Sequence, residues 1–381
     1  MTEQKALPPL GILYVAEALK KQGHEVEVLD FADGYKFVDA DAYGVSVTTT
    51  DYPTGLNILR WLKEKGAKKV IAGGPHATLC PDRCLADGFD GVSVGDGELT
   101  VEHLMRDGGI GERRSKDIDG FYPDRKALNL GAYKFRIHSR LATPMMTARG
   151  CAWGMCAFCS RTDRGIRFCS AEHVKKEIDQ IHKLRFRAIQ IYDDEFFMNP
   201  KRDMEIIRYL GVKGIVWRAF CHSRFMLRSK ELAKEASMNG LKEVLIGIES
   251  GSKKILMNIN KGTTPAENAE AIRLFHSHGV RVKGAFILGL PGESEETIRE
   301  TEKFIDDCPC DDYDFSILVP LPGSKIYKNP GVYDISFNRD NIYTPYKKDP
   351  KQGYTCCVST RGLTSLEILE AREAFEHKYK K

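Results

Sequence analysis

No run of eighteen apolar residues occurs in this chain of 381, so no membrane span is expected. The first residues, Met1-Thr2-Glu3-Gln4-Lys5, lack the apolar core of a secretion signal. A large excess of charge of one sign is also missing. A net charge of +4 over the whole length is too mild to argue for nucleic acid. There is no short repeat and no low-complexity stretch. The eleven cysteines are scattered, unlike the short, cysteine-dense framework of a secreted disulfide protein. A reducing, cytoplasmic location is therefore expected, with some thiols held for metal. With 42% hydrophobic and 29% charged residues, the composition is that of an ordinary globular protein, long enough for two domains and an extension.

The cysteines do cluster once. Cys151, Cys156 and Cys159 fall within Arg149-Gly150-Cys151-Ala152-Trp153-Gly154-Met155-Cys156-Ala157-Phe158-Cys159. Iron–sulfur clusters with a full protein shell take four Cys. A compact set of three can hold three irons of a four-iron, four-sulfur cluster and leave the fourth open to a reactive ligand, which suggests catalysis rather than electron storage.

Short apolar strands alternate with amphipathic helices through most of the chain. In the first part, strands are expected at 25–30, 42–47, 68–73 and 90–94, with helices at 10–22, 53–65 and 98–105. Residues 107–140 read as a Gly- and charge-rich connector. A second series has strands at 143–148, 187–193, 215–220, 243–248, 282–288 and 314–319, each followed by a helix except the last. The fold class is thus α/β. A Rossmann-like parallel sheet (1–110) leads through a linker (111–140) to a partial (β/α)6 TIM-type barrel (141–330). A C-terminal extension (331–381) contains a helix from 365 to 380. Unusual residues collect just after the barrel strands: the Cys triplet, Asp193-Asp194-Glu195, Arg224, Glu249-Ser250-Gly251 and Gly289-Leu290-Pro291-Gly292-Glu293. Parallel strands bring such ends to one rim, where barrels of this type place their chemistry.

The Cys triplet, Ile246-Gly247-Ile248-Glu249-Ser250-Gly251-Ser252, Lys261-Gly262-Thr263 and Gly284-Ala285-Phe286-Ile287-Leu288-Gly289 together resemble the radical S-adenosylmethionine (SAM) superfamily. The triplet is C-x4-C-x2-C where the superfamily usually has C-x3-C-x2-C. The resemblance implies a 4Fe-4S cluster on Cys151, Cys156 and Cys159, whose open iron binds SAM and cleaves it to methionine and a 5′-deoxyadenosyl radical. It implies SAM contacts from Phe158, Asp194, Glu195, Arg224, Glu249, Ile287 and Leu288. For several of these the residues alone allow a plainer reading: a strand-end acid capping a helix, or a structural salt bridge.

The first part carries Pro8-Pro9-Leu10-Gly11, Ser46-Val47-Thr48, Gly73-Gly74-Pro75-His76 and Gly95-Asp96-Gly97-Glu98, and resembles the cobalamin-binding domain that precedes many radical SAM barrels. That implies cobalamin contacts from Ser46, Thr48, Gly73, Gly74, His76, Gly95 and Glu98. No Asp-x-His-x-x-Gly occurs, so the usual lower axial His is missing. An apolar strand ahead of Pro8 is missing as well. A turn histidine such as His76 is as often structural. Cys308, Cys310, Cys356 and Cys357 have poor spacing for a zinc or auxiliary cluster site. The run Arg161, Arg164, Arg167 reads as a solvated face or a steering patch.

The expected function is radical SAM catalysis, with cobalamin-dependent methylation of an unactivated position as the leading reaction. The alternatives are a radical SAM enzyme that keeps its first domain as a scaffold, and a non-catalytic iron–sulfur protein. The expected partners are a small-molecule or peptide substrate and an electron donor such as flavodoxin or ferredoxin.

Overall fold

The computed structural model describes residues 7–31, 34, 36–163, 165–343 and 354–380. Two compact units emerge: one built mainly from residues up to Phe135, the other mainly from Met145 onward.

The first unit is a four-stranded parallel sheet in sequential order, Tyr43–Ser46, Val70–Gly73, Gly91–Gly95 and Gly109–Arg113. Val70, Ile71, Ala72, Val92 and Val94 are all buried, the continuous apolar run of strands covered on both faces. Three main helices cover it: Leu10–Lys21, Tyr52–Glu64 and Gly97–Asp107. In Tyr52–Glu64 the buried positions Gly55, Ile58, Leu59 and Leu62 recur at helical spacing, and Pro53 fits the first turn. Gly55 has a packing reason: a Cβ there would lie 2.4 Å from Val47 Cγ1.

Two sequence expectations change. Residues 25–30 do not form a strand. The open edge of Tyr43–Ser46 is left unpaired by them. Val28 packs instead against Leu13 and Ala16 of that helix, with Val26 beside it. Conversely, Gly109–Arg113, read as the start of a connector, is the fourth strand, paired residue for residue with Gly91–Gly95.

The second unit holds a seven-stranded sheet. Its edge hairpin, Arg136–Ile137 with Arg140–Met145, is followed in order by Ala188–Ile191, Val216–Cys221, Leu241–Glu249, Arg281–Leu288 and Asp312–Ile317. The last five are parallel to one another. Helices Ala171–Lys183, Pro200–Val212, Glu231–Met238, Pro265–Ser277 and Glu295–Asp307 form the outer layer of this partial barrel. Strand Arg281–Leu288 shows the two faces. Val282, Phe286 and Leu288 are buried, with Phe286 against Phe304 of the last outer helix. Lys283, Ala285 and Ile287, of opposite parity, are half-buried and face the lumen. The C-terminal helix Ser365–Tyr379 starts in a Thr364–Glu367 capping box and packs Phe375 on Phe315 of the last strand. Each fully buried Leu, Ile or Phe in these layers contributes roughly 1.5–3 kcal/mol. Among the described residues no helix is long and apolar enough to cross a membrane.

Candidate active site

The first barrel strand ends at Met145, three residues earlier than the sequence suggested. The chain it releases wraps a carboxylate. Asp193, at the end of the second barrel strand, accepts hydrogen bonds from Thr147 N (2.5 Å), Thr147 Oγ1 (2.5 Å) and Ala148 N (3.0 Å). Burial is the main force pushing its pKa up, to about 7, against those three donors. Asp193 is therefore a latch that fixes the approach to the cysteine loop.

The loop itself is pinned on two sides. Trp153 Nε1 donates to Asn260 O (2.9 Å) and Ala157 N to Ile259 O (2.8 Å). On the other side Ile326 N donates to Ala157 O (3.1 Å), and Ser160 Oγ donates to Pro322 O. Gly150, at φ 91°, lets the loop turn tightly: a Cβ there would lie 2.0 Å from Gly165 O.

Cys151, Cys156 and Cys159 are all reduced and half-buried. Burial, then the neighbouring charges, pushes the Cys156 thiol up to about 11; Lys261 opposes this, while Glu249 and Cys151 add to it. Cys159 is pushed up to about 12, by burial first, then by Cys156, Asp194 and Cys151. The three sulfurs thus feel one another. Among the described residues they do not form a set lying within 4.8 Å of one another. Three ligands of a single zinc would, since Zn–S bonds of about 2.3 Å put tetrahedral sulfurs about 3.8 Å apart. Three thiols close enough to couple, too spread for one ion, suit a polynuclear cluster.

Around the loop stand the ends of the other strands. Lys261 Nζ lies 2.7 Å from Glu249 Oε1, both buried. Burial works against the ammonium, yet Glu249, Cys156 and Glu195 outweigh it and hold the Lys261 pKa above the usual lysine value. Gly247 makes room for this pair: a Cβ there would meet Glu249 Oε1 at 2.6 Å and Lys261 Nζ at 2.9 Å. His222 Nε2 sits 3.1 Å from Lys261 O, and burial drives its pKa down to about 3, so the ring is neutral. Asp194 is exposed beside Cys159, its carboxyl held above the usual range by the surrounding protein and by Asp163.

The sequence candidates divide accordingly. Asp194, Glu249 and half-buried Phe158 are with the cysteines or on their loop, and Ile287 faces the lumen. Leu288 is a correction: one residue on, it points to the helix layer with Phe286, because strand side chains alternate. Glu195 is buried and accepts from Phe197 N (3.2 Å), an internal acid of the fold. Arg224 is turned onto Trp153, its guanidinium carbon 4.6 Å from the ring, and donates to Gly262 O (3.2 Å). It lines an outer cavity rather than a ligand carboxylate. Sequence reasoning gave Lys261 a place in a motif but no role, and missed Trp153 and His222 altogether. The signal for Lys261 was its position just after the short helix Lys253–Asn258 that follows Glu249.

In the first unit, exposed Ser46 and Thr48, half-buried Gly73 and Gly74, and half-buried Gly95 lie at the C-terminal strand edge, where open parallel sheets take ligands. Gly74 and Gly95 have φ of 91° and 88°, and a Cβ would lie 2.9 Å from Val47 O or 2.5 Å from Arg113 O. A Cβ at Gly73 would meet nothing nearer than 3.8 Å, which leaves backbone open to a bulky group. Glu98 is buried in the first turn of its helix. His76 is only 1% exposed; its Nδ1 is 3.1 Å from Thr49 Oγ1 and its ring 4.0 Å from that of Tyr52. Its place is structural, and burial lowers its pKa to about 4.

Of the remaining candidates, Arg167 is not a solvated charge. It holds Asp96 with two bonds of 2.7 and 2.9 Å. Arg164 lies outside the described residues. Cys308 couples with Cys310 and Cys356 with Cys357, and among the described residues nothing draws the two pairs into one site. A cavity of about 420 Å³ at the opposite strand ends, with Arg136, Arg218, Lys242 and Arg281 around Glu243, contains none of the candidates.

Comparison with known proteins bears on both units. Residues 145–305 match the Radical SAM superfamily, and residues 4–105 match the B12 binding domain. An uncharacterized methyltransferase of Pyrococcus horikoshii is 29% identical over 362 residues, covering 84% of this chain and 78% of the relative. The bacteriochlorophyllide d C-12(1)-methyltransferase of Chlorobaculum tepidum is 27% identical over 339 residues, covering 84% and 73%. Among solved structures, the radical SAM methyltransferase TsrM from Kitasatospora setae, with cobalamin and a 4Fe-4S cluster bound, superposes with a TM-score of 0.72 at 15% identity. That likeness of fold covers 98% of this chain and 90% of TsrM.

Proposed function

We propose, from this chain's place in the radical SAM superfamily and in its class with an N-terminal cobalamin-binding domain, that it transfers a methyl group to an unactivated position of its substrate. The chain is an enzyme of radical SAM type. The cofactors of the class are a 4Fe-4S cluster, SAM and cobalamin. When bound, the cluster and SAM supply a carbon radical and cobalamin supplies a methyl carrier.

The observation that carries this reading is the loop of three coupled, reduced thiols, pinned on both sides and faced by Asp194 and the Glu249–Lys261 pair. Cys151, Cys156 and Cys159 would hold the cluster as thiolates. Asp194, the exposed acid beside Cys159, suits the ammonium of SAM. Glu249, held in place by Lys261, suits the ribose hydroxyls, and Ile287 offers an apolar contact from the lumen wall for the adenine. Strand-end Gly73, Gly74 and Gly95, with Ser46 and Thr48, would form the floor for cobalamin. No role is given to Leu288, Glu195, Arg224 or His76.

The test is anaerobic reconstitution with iron, sulfide and hydroxocobalamin, followed by SAM and dithionite. The expected outcome is retained corrinoid and formation of 5′-deoxyadenosine. An intact cluster with no 5′-deoxyadenosine refutes radical SAM chemistry. 5′-Deoxyadenosine without bound corrinoid refutes the cobalamin-dependent reaction alone.

A further inference from the structure

Behind the cysteine loop lies a second feature that the chemistry above does not use. A cavity of about 630 Å³ is lined by Arg224, Leu227, Arg228, Met257, Asn260 and Gly262, among others. Its wall is continuous with the loop: Asn260 O accepts from Trp153 Nε1, Arg224 covers the Trp153 ring, and a Cβ on Gly262 would lie 2.3 Å from that ring. Trp153 itself sits between Cys151 and Cys156 in the chain.

The cavity is cationic. Arg224 and Arg228 line it, and exposed Lys253 and Lys254 share a short helix with Met257. Among the described residues one acid lines it, Glu267, which accepts from Thr264 N (2.7 Å) and Thr264 Oγ1 (2.9 Å) in a capping box, so the two arginines leave the lining net positive. Met257, an apolar side chain in the lining, is 69% exposed. Arginine and methionine are enriched where proteins meet, and charges at the rim set approach and register.

We infer that this face docks an acidic, one-electron donor protein of the flavodoxin type, and that Trp153 is the wall through which its electron reaches the cluster. The inference rests on the function proposed above. In the step, a flavin hydroquinone of the donor is oxidised to its semiquinone, and the cluster is reduced from the 2+ to the 1+ state; no other co-reactant is needed.

The test uses the reconstituted protein, flavodoxin as the probe, and the variants Arg228→Glu with Met257→Glu, and Arg228→Lys. Binding of oxidised flavodoxin is titrated by changes in its NMR spectrum, and SAM cleavage is run with reduced flavodoxin or with dithionite. The expected result is a dissociation constant raised roughly tenfold or more in the double variant, because two acids there would face an acidic partner with like charge. Arg228→Lys stays near wild type, binding weakens with salt, and dithionite-driven cleavage stays within about twofold. An unchanged dissociation constant overturns the docking face. So does an equal loss with dithionite, since the residues would then serve the fold and not the donor. A wild type inactive with dithionite instead overturns the proposed function, and the docking inference with it.

Discussion

Lys261 Nζ and Glu249 Oε1 stand 2.7 Å apart in a buried pair that also lies within electrostatic reach of Cys156. Glu249 reaches this position from a backbone at φ 65°, in the left-handed region, at a β-bulge between Gly247 and Glu249. That conformation costs of order 1–2 kcal/mol for a residue with a Cβ. Removing Lys261 leaves a buried carboxylate without its partner. Lys261→Met is expected to destabilise the second unit by about 3–5 kcal/mol, read as a lower midpoint in denaturant unfolding. Adding Glu249→Gln to it should recover part of the loss. If the single variant unfolds like wild type, the pair does not act as described.

Gly247→Ala tests the same pair by sterics alone. The new Cβ would sit 2.6 Å from Glu249 Oε1 and 2.9 Å from Lys261 Nζ. The pair must part, at an overpacking cost of about 1–3 kcal/mol. With Glu249 displaced from the rim, SAM affinity should fall by about tenfold, the factor that corresponds to about 1.4 kcal/mol. Equilibrium dialysis with labelled SAM would show it, and undiminished affinity would remove Glu249 from the SAM site.

These pairs also mark what could be read from the sequence. The alternation of strands and helices was legible because strands such as Ala188–Ile191 are buried throughout, others such as Arg281–Leu288 alternate at period two, and the helices repeat at their own period. The Cys triplet was legible because its residues are adjacent in the chain. Strand Gly109–Arg113 was not: of Gly-Ile-Gly-Glu-Arg only Gly111 is buried, so no apolar pattern betrays it. Leu288 was assigned with Ile287 because sequence shows neighbours and not the parity of a strand. Arg224 was assigned to SAM because nothing local says that Trp153, some seventy positions earlier, takes its guanidinium. His76 looked ligand-facing from its Gly-Gly-Pro turn, but its partners Thr49 and Tyr52 lie across the sheet edge.

A pH effect follows from Glu293, whose carboxyl is nearly inaccessible and accepts from Gly289 N. Burial raises its pKa to about 7, against the opposing pull of the Gly289 and Leu290 N–H groups. The folded form therefore holds a proton that the unfolded form releases near its usual value of 4.5. The stabilisation this gives is fully present below about pH 4.5 and is lost progressively as pH rises to about 7. In Glu293→Gln the group no longer titrates, and the decline in stability across that window should flatten by up to about 1.4 kcal/mol per pH unit. Urea midpoints from pH 5 to 8 would show this, and parallel profiles for the two proteins would contradict it.

The wall between Trp153 and Gly262 gives a last prediction, about the cysteine loop rather than stability. Gly262 has φ 76°, and a Cβ there would lie 2.3 Å from Trp153 Cζ2 and 2.5 Å from Cε2. Gly262→Ala must push the indole away, breaking its 2.9 Å bond to Asn260 O and lifting Arg224 from the ring. The bond from Ala157 N to Ile259 O, three residues back, survives on the far part of the loop. Cys156 and Cys159 should therefore keep their places, while Cys151, on the Trp153 side, loses its support. The expected outcome is a protein that folds with a normal far-ultraviolet spectrum but retains less iron after reconstitution and desalting, with a Mössbauer signal shifted toward smaller or incomplete clusters. Trp153→Phe, which keeps an aromatic face for Arg224 but loses the hydrogen bond, should fall between the two. Full iron retention in Gly262→Ala would mean that the Ile259 bond and the Pro322–Ile326 side hold the loop without Trp153, and that Trp153 is free to move without consequence for the cluster.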